Sequence, residues 1–128
     1  MAVSIQNLEN LEVVTVRSLA GTTANHTSAA TSLVDYEGDV MLVLNATAGT
    51  GTDTPTLTVR IKQNDTSAGS YDFITGAEFT PVTDTASVQK LVLNSNEIKR
   101  FIKINAQVSG TNPSFSYSVN LVACKKYG

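Results

Sequence analysis

Apolar and polar residues alternate along most of this chain, and the alternation is cleanest near its end. Across 114–123, Phe115, Tyr117, Val119, Leu121 and Ala123 point one way, and Ser114, Ser116, Ser118 and Asn120 point the other. Successive side chains of a strand face opposite sides of a sheet, so this segment predicts a strand with one dry and one wet face. Leu57, Val59 and Ile61 repeat the pattern against Arg60 and Lys62. So do Ile102, Ile104, Ala106 and Val108 against Lys103 and Asn105. Residues 40–44 are apolar throughout, which predicts a central strand covered on both faces. Weaker strands are expected at 11–17, 32–36, 71–74, 79–83 and 88–93, separated by turn signals such as Glu37-Gly38-Asp39 and Thr75-Gly76. No segment holds a helical period.

About eight or nine short strands at this spacing predict an all-β fold, an antiparallel β-sandwich, with a jelly roll among the topologies that fit. Two stretches echo each other. Gly51-Thr52-Asp53-Thr54-Pro55 follows the apolar run ending at Leu44, and Gly110-Thr111-Asn112-Pro113 follows Ile104-Asn105-Ala106. Glycine allows the positive φ of a tight turn and proline tolerates the first strand position after it, so both stretches are expected to be β-hairpins. Residues 21–30 are small and polar and predict a long loop. The preceding Val3, Ile5, Leu8, Leu11, Val13 and Val16 would then lie on an N-terminal arm free to engage a neighbour. The expected organisation is an arm and Thr-rich loop over 1–30 and a sandwich domain over 31–128.

A length of 128 residues fits one domain, with a core large enough to need no metal or disulfide staple. Charged residues are only 16% of the chain, so its polar surface is mostly Thr, Ser and Asn. A net charge of −2 and a pI near 5.2 argue against nucleic acid as a partner. The one basic cluster in sequence, Lys90, Lys99, Arg100 and Lys103, reads as a solvated face or as a salt-sensitive contact with an acidic protein surface. The start of the sequence has no export-signal pattern. No stretch reaches the ~20 apolar residues of a membrane-spanning helix, so no membrane partner is expected.

Candidate chemistry is sparse. His26 is the single histidine and Cys124 the single cysteine, too few for a zinc site, and Cys124 reads as a small buried hydrophobe. No Gly-x-Ser-x-Gly elbow occurs, and the carboxylates fall mostly in expected turns, where they cap backbone N–H groups. Calcium at Asp35, Glu37 and Asp39 lacks EF-hand spacing. No catalytic, cofactor-binding or metal-binding residue is assigned, no cofactor is expected, and the chain is read as a non-enzyme.

The two Gly-Thr…Pro stretches carry a resemblance. Residues 51–59 and 110–117, with Gly76-Ala77-Glu78-Phe79-Thr80 and Arg100-Phe101-Ile102-Lys103 between them, resemble segments of small tailed-bacteriophage virion proteins. The likeness covers about residues 38–123. It implies a capsid decoration, or cement, protein on the outer surface of the virion, made in the bacterial host cytoplasm. The implied partners are the major capsid protein and copies of itself, a trimer ahead of a dimer. The assembly interface expected from the sequence comprises Val3, Ile5, Leu8, Leu11, Lys99, Arg100 and Lys103. The competing readings are a tail or head-tail component, a carbohydrate-binding module and, last, a small hydrolase.

Overall fold

The computed structural model describes residues 11–125. They form β1 (Leu11–Thr22), β2 (His26–Thr27), β3 (Thr31–Ser32), β4 (Tyr36–Ala46), β5 (Thr50–Asn64), β6 (Asp72–Glu78), β7 (Ser87–Asn94) and β8 (Phe101–Lys125), all paired antiparallel. The all-β sandwich expected from the alternation is therefore what forms, with eight strands.

Two sheets share one strand. Residues 114–125 of β8 lie between β1 and β4, and β7 completes this sheet A on the far side of β4. Residues 101–109 of β8 lie between β5 and the short β2 and β3, and β6 completes sheet B on the far side of β5. The inner faces are the apolar rows seen in the sequence. Val40, Leu42 and Leu44 of β4 and Leu57, Val59 and Ile61 of β5 meet Ile102, Ile104, Ala106, Phe115, Tyr117, Val119 and Leu121 of β8 in one core, all of them fully or almost fully buried. One inward row from each long strand suffices to fill the space between the sheets.

Neither echoed stretch is a hairpin. β4 and β5 lie in different sheets and pair with β8, not with each other, and β8 runs on through Gly110 from sheet B into sheet A. A two-strand reversal would lay both flanking rows on one sheet. Here each flanking row must reach the common core from opposite sides, so the chain turns a corner instead. The two corners nest against each other, with Thr52 paired to Thr111. A Cβ on Gly51 would stand 2.9 Å from the Asn112 carbonyl oxygen, and one on Gly110 would stand 2.9 Å from Pro55 Cα. Gly51 (φ 128°) and Gly110 (φ 108°) occupy conformations that favour glycine, while Asp53 (58°), Thr54 (54°) and Asn112 (50°) adopt positive φ with side chains. The Thr111 hydroxyl donates to the Asp53 carboxylate, tying one corner to the other.

Several local expectations change. Residues 11–22, expected in the arm, pair with β8 as the edge strand of sheet A, and Met1–Asn10 lie outside the described residues. The Thr-rich loop supplies β2 and β3, which close the edge of sheet B. The central strand at 40–44 is covered on one face only, because Met41 and Val43 on the other are half-buried. The strand expected at 79–83 is a single bridge, Val82 to Leu57.

Candidate interaction surfaces

Once alternation has committed one face of each sheet to the core, the other face is where this molecule meets its surroundings. On sheet A the register brings Val13, Val122, Met41 and Val92 into one row across all four strands. The flanking positions add Leu11 beside Cys124, and Val43 between Asn120 and Lys90. The two ends of the row reach solvent, Val13 at 68% and Val92 at 57% exposure, and Met41 and Val122 between them are half-buried. An apolar row that crosses four strands on an outer face is a candidate contact surface.

The outer face of sheet B is its opposite in chemistry. Lys62 stands directly across from Lys103, and Arg60 across from Asn105. Phe73 of β6, 42% exposed, lies beside them. The Arg60 guanidinium sits 4.1 Å from the centre of the Phe73 ring and the Lys62 ammonium 4.8 Å, while Lys103 lies 4.4 Å from the centre of the Tyr71 ring. The negative faces of these rings attract the cations and partly offset the repulsion of a like-charged cross-strand pair. Among the described residues the one ion pair is Glu12–Lys125, 2.8 Å, on sheet A. Glu78 stands across from Arg60 in register without closing a second. Arg60 Nε and Asn105 Oδ1, in the same row, are buried without a hydrogen-bond partner.

A third cluster joins the sheets at one edge. Arg17 Nε donates to His26 Nε2 at 3.1 Å, which makes that nitrogen an acceptor. The Tyr117 hydroxyl, 2.6 Å away, must therefore donate to it, and Nδ1 carries the ring proton toward Thr22 Oγ1 at 3.2 Å. Arg17 also donates to the Tyr117 carbonyl at 2.6 Å and covers its ring at 3.9 Å. Burial pushes the Tyr117 hydroxyl up to about 12. β1 of sheet A and β2 of sheet B are thus clasped over Tyr117. The lone histidine, read from the sequence as a loop residue, is the hinge pin of this closure.

Glu12, on the other end of β1, is held below the usual carboxylate range by Lys125 and by the Tyr36 hydroxyl, which donates to it at 3.0 Å. A cleft of about 370 Å³ opens at the nested corners, lined by Gly51, Asp53, Thr54, Pro55, Thr83 and Asp84. Among the described residues no three His, Cys, Asp or Glu side chains are grouped to hold a metal ion.

The interface residues expected from the sequence are divided between these faces. Leu11 lies at the edge of the apolar face of sheet A, next to Cys124. Lys103 lies on the basic face of sheet B, and Lys99 and Arg100 are exposed in the turn that leads into it. Lys90, grouped with them in sequence, is across from Val43 on sheet A. Val3, Ile5 and Leu8 lie outside the described residues. Sequence reasoning placed Val13 on the arm and passed over Met41, Val92, Val122, Arg60, Lys62 and Phe73 as surface residues. The signal for Arg60 and Lys62 was present, since both oppose the inward row of β5. Cys124 is half-buried beside Leu11, not sealed in the core.

No family model matches the chain, and no curated protein matches it in sequence. Its fold is shared with solved structures. A chain of infectious bursal disease virus, Gt strain, superposes with a TM-score of 0.54 at 14% identity over 89% of this chain and 33% of that one. VP2 of the same virus, in a subviral particle, gives 0.52 at 14% identity over 89% of this chain and 32% of its own. A CBM4 domain is matched over 90% of this chain and 86% of its own, at 14% identity and a TM-score of 0.45. The chain spans about a third of the two viral chains. At such identities the likeness is one of fold.

Proposed function

We propose that this chain is a non-enzymatic structural protein of a virion, a decoration or cement protein that sits on the outer surface of a phage capsid and stabilises the shell. The observation that carries the reading is the row Val13–Val122–Met41–Val92, an apolar band across the outer face of a complete sheet. Its natural occupant is a flat part of the major capsid protein. The band carries one nearby cation, Lys90, so the contact draws on apolar burial at about 25 cal/mol per Å² and is insensitive to salt. One such band is modest in area. Repetition over a shell of many copies makes modest single contacts sufficient when copies are also linked to each other. The sandwich shared with VP2 of a subviral particle and the likeness of the corner motifs to tailed-phage virion proteins support the same reading.

The test is binding of the purified chain to expanded heads that lack it, read by sedimentation and by the temperature at which the heads lose their contents. Saturable binding with a raised release temperature is the expected result. No binding at saturating concentration would sink the proposal, and binding to tails alone would move the protein to the tail.

A further inference from the structure

The basic face of sheet B is left unused by that reading. Arg60, Lys62 and Lys103 stand together on it, Lys99 and Arg100 flank it, and none of the five forms an ion pair among the described residues. Two of the five, Lys62 and Lys103, are directly opposed, a placement that costs stability in the isolated molecule. The molecule nonetheless holds these cations in place over Phe73 and Tyr71. Continuous polyanions fit the face poorly: it is small, Glu78 shares the row of Arg60, and the chain as a whole is negative. A compact group of carboxylates fits it well.

This chain carries one. Asp35, Glu37 and Asp39 are exposed at alternate positions where the chain turns into β4, at an end of the sandwich. Asp35 lies in the turn before β4 and Gly38 (φ 70°) bulges the chain between Glu37 and Asp39, so what matches these carboxylates to Arg60, Lys62 and Lys103 is opposite charge on two exposed surfaces. We infer that the basic outer face of sheet B receives Asp35, Glu37 and Asp39 of a second copy of this chain. The contact is heterologous, since two different surfaces meet, so successive copies close into a ring if the rotation between them permits. Its carboxylates border the apolar row of sheet A, with Glu37 across from Cys124 and Asp39 two residues before Met41, but the contact does not use the row itself. It goes beyond the capsid-docking proposal and stands or falls without it.

Sedimentation velocity of the full chain tests it. Wild type should associate at roughly 0.02 M salt and dissociate at roughly 1 M, where the screening length shrinks from tens of ångströms to about 3 Å. Lys62→Glu with Lys103→Glu should remain monomeric at both, and so should Asp35→Lys with Glu37→Lys. Each pair should keep a cooperative melt, since all four side chains are at least partly exposed. Mixing the two monomeric variants should restore association, since the intact carboxylates of the first meet the intact basic face of the second, and combining all four substitutions in one chain reverses both partners and should restore it as well. A wild type that stays monomeric at low salt would overturn the inference, as would a fourfold variant that stays monomeric while folded. Wild type that is monomeric yet binds polyaspartate or DNA would also overturn it, assigning the face to another acidic protein or to nucleic acid. Association that survives 1 M salt and is lost on Val13→Asp would overturn it in favour of the apolar face.

Discussion

The two sheets of this molecule are alike inside and unlike outside. Inward, each presents rows of branched aliphatic residues with a few aromatics, all at almost zero exposure. Outward, sheet A shows valines and a methionine where sheet B shows two lysines, an arginine and a phenylalanine. The inner rows are dictated by folding, because each must leave water for a sandwich to form. The outer rows are under no such demand, so their contrast reports on what each face meets. An apolar face and a cationic face answer oppositely to salt. The two faces can therefore be told apart by the salt dependence of whatever binds them.

If the inner faces are equivalent, a truncation in either sheet should cost about the same. Leu42→Ala in sheet A and Ile104→Ala in sheet B each remove a side chain of zero exposure from the common core. Each is expected to lower unfolding free energy by about 2–5 kcal/mol, measured by urea denaturation. A large cost in one sheet with almost none in the other would mean that only one sheet is needed for a cooperative core. The corners come next. Gly51→Ala and Gly110→Ala both force a Cβ against backbone at positive φ, and each should cost about 1–3 kcal/mol. If the nested corners act as one unit, the double variant should cost clearly less than the sum.

The inner rows and the sandwich class were legible in the sequence because a period of two records which side of a strand is dry. The corners were not. Gly-Thr…Pro signals a change of direction, but whether the chain folds back or passes over to another sheet depends on where β8 lies, some fifty residues away from Gly51. The same non-local pairing hid the outer surfaces. Val13, Val122, Met41 and Val92 come from four strands, and no window of sequence holds them together. Val40 to Leu44 looked doubly covered because the outer face of β4, with Met41 and Val43, is as apolar as its core face. His26 looked idle because its partners, Arg17 and Tyr117, are set beside it by two different strands.

Raising pH should sharpen the comparison by loosening the clasp between the sheets. Burial raises the Tyr117 hydroxyl from 10.0 to about 12. A folded value above the unfolded one favours the protonated hydroxyl in the fold, so its contribution is whole below pH 10 and declines as pH rises toward about 12. Tyr36, raised by burial and by Glu12, acts in the same direction. Wild type is expected to lose thermal stability across this window. Tyr117→Phe should start lower by about 0.5–1.5 kcal/mol for the lost hydrogen bond and then decline less steeply. Equal slopes for the two proteins would show that Tyr117 stays protonated in neither state or titrates alike in both.

The smallest expected effect separates the faces most cleanly. Val13→Thr and Val92→Thr keep the branched Cβ that suits a strand and nearly the same shape, and both positions are more than half exposed. Each should change unfolding free energy by less than about 0.5 kcal/mol, as surface positions usually do. The same two substitutions place a hydroxyl at each end of the apolar row, where a docked partner would have to strip its water. Together they should therefore weaken binding to heads while leaving salt-dependent self-association untouched. A destabilisation as large as that of Leu42→Ala would mean that the row is already buried within the folded chain, and the distinction between an inner face for folding and an outer face for contact would fail for sheet A.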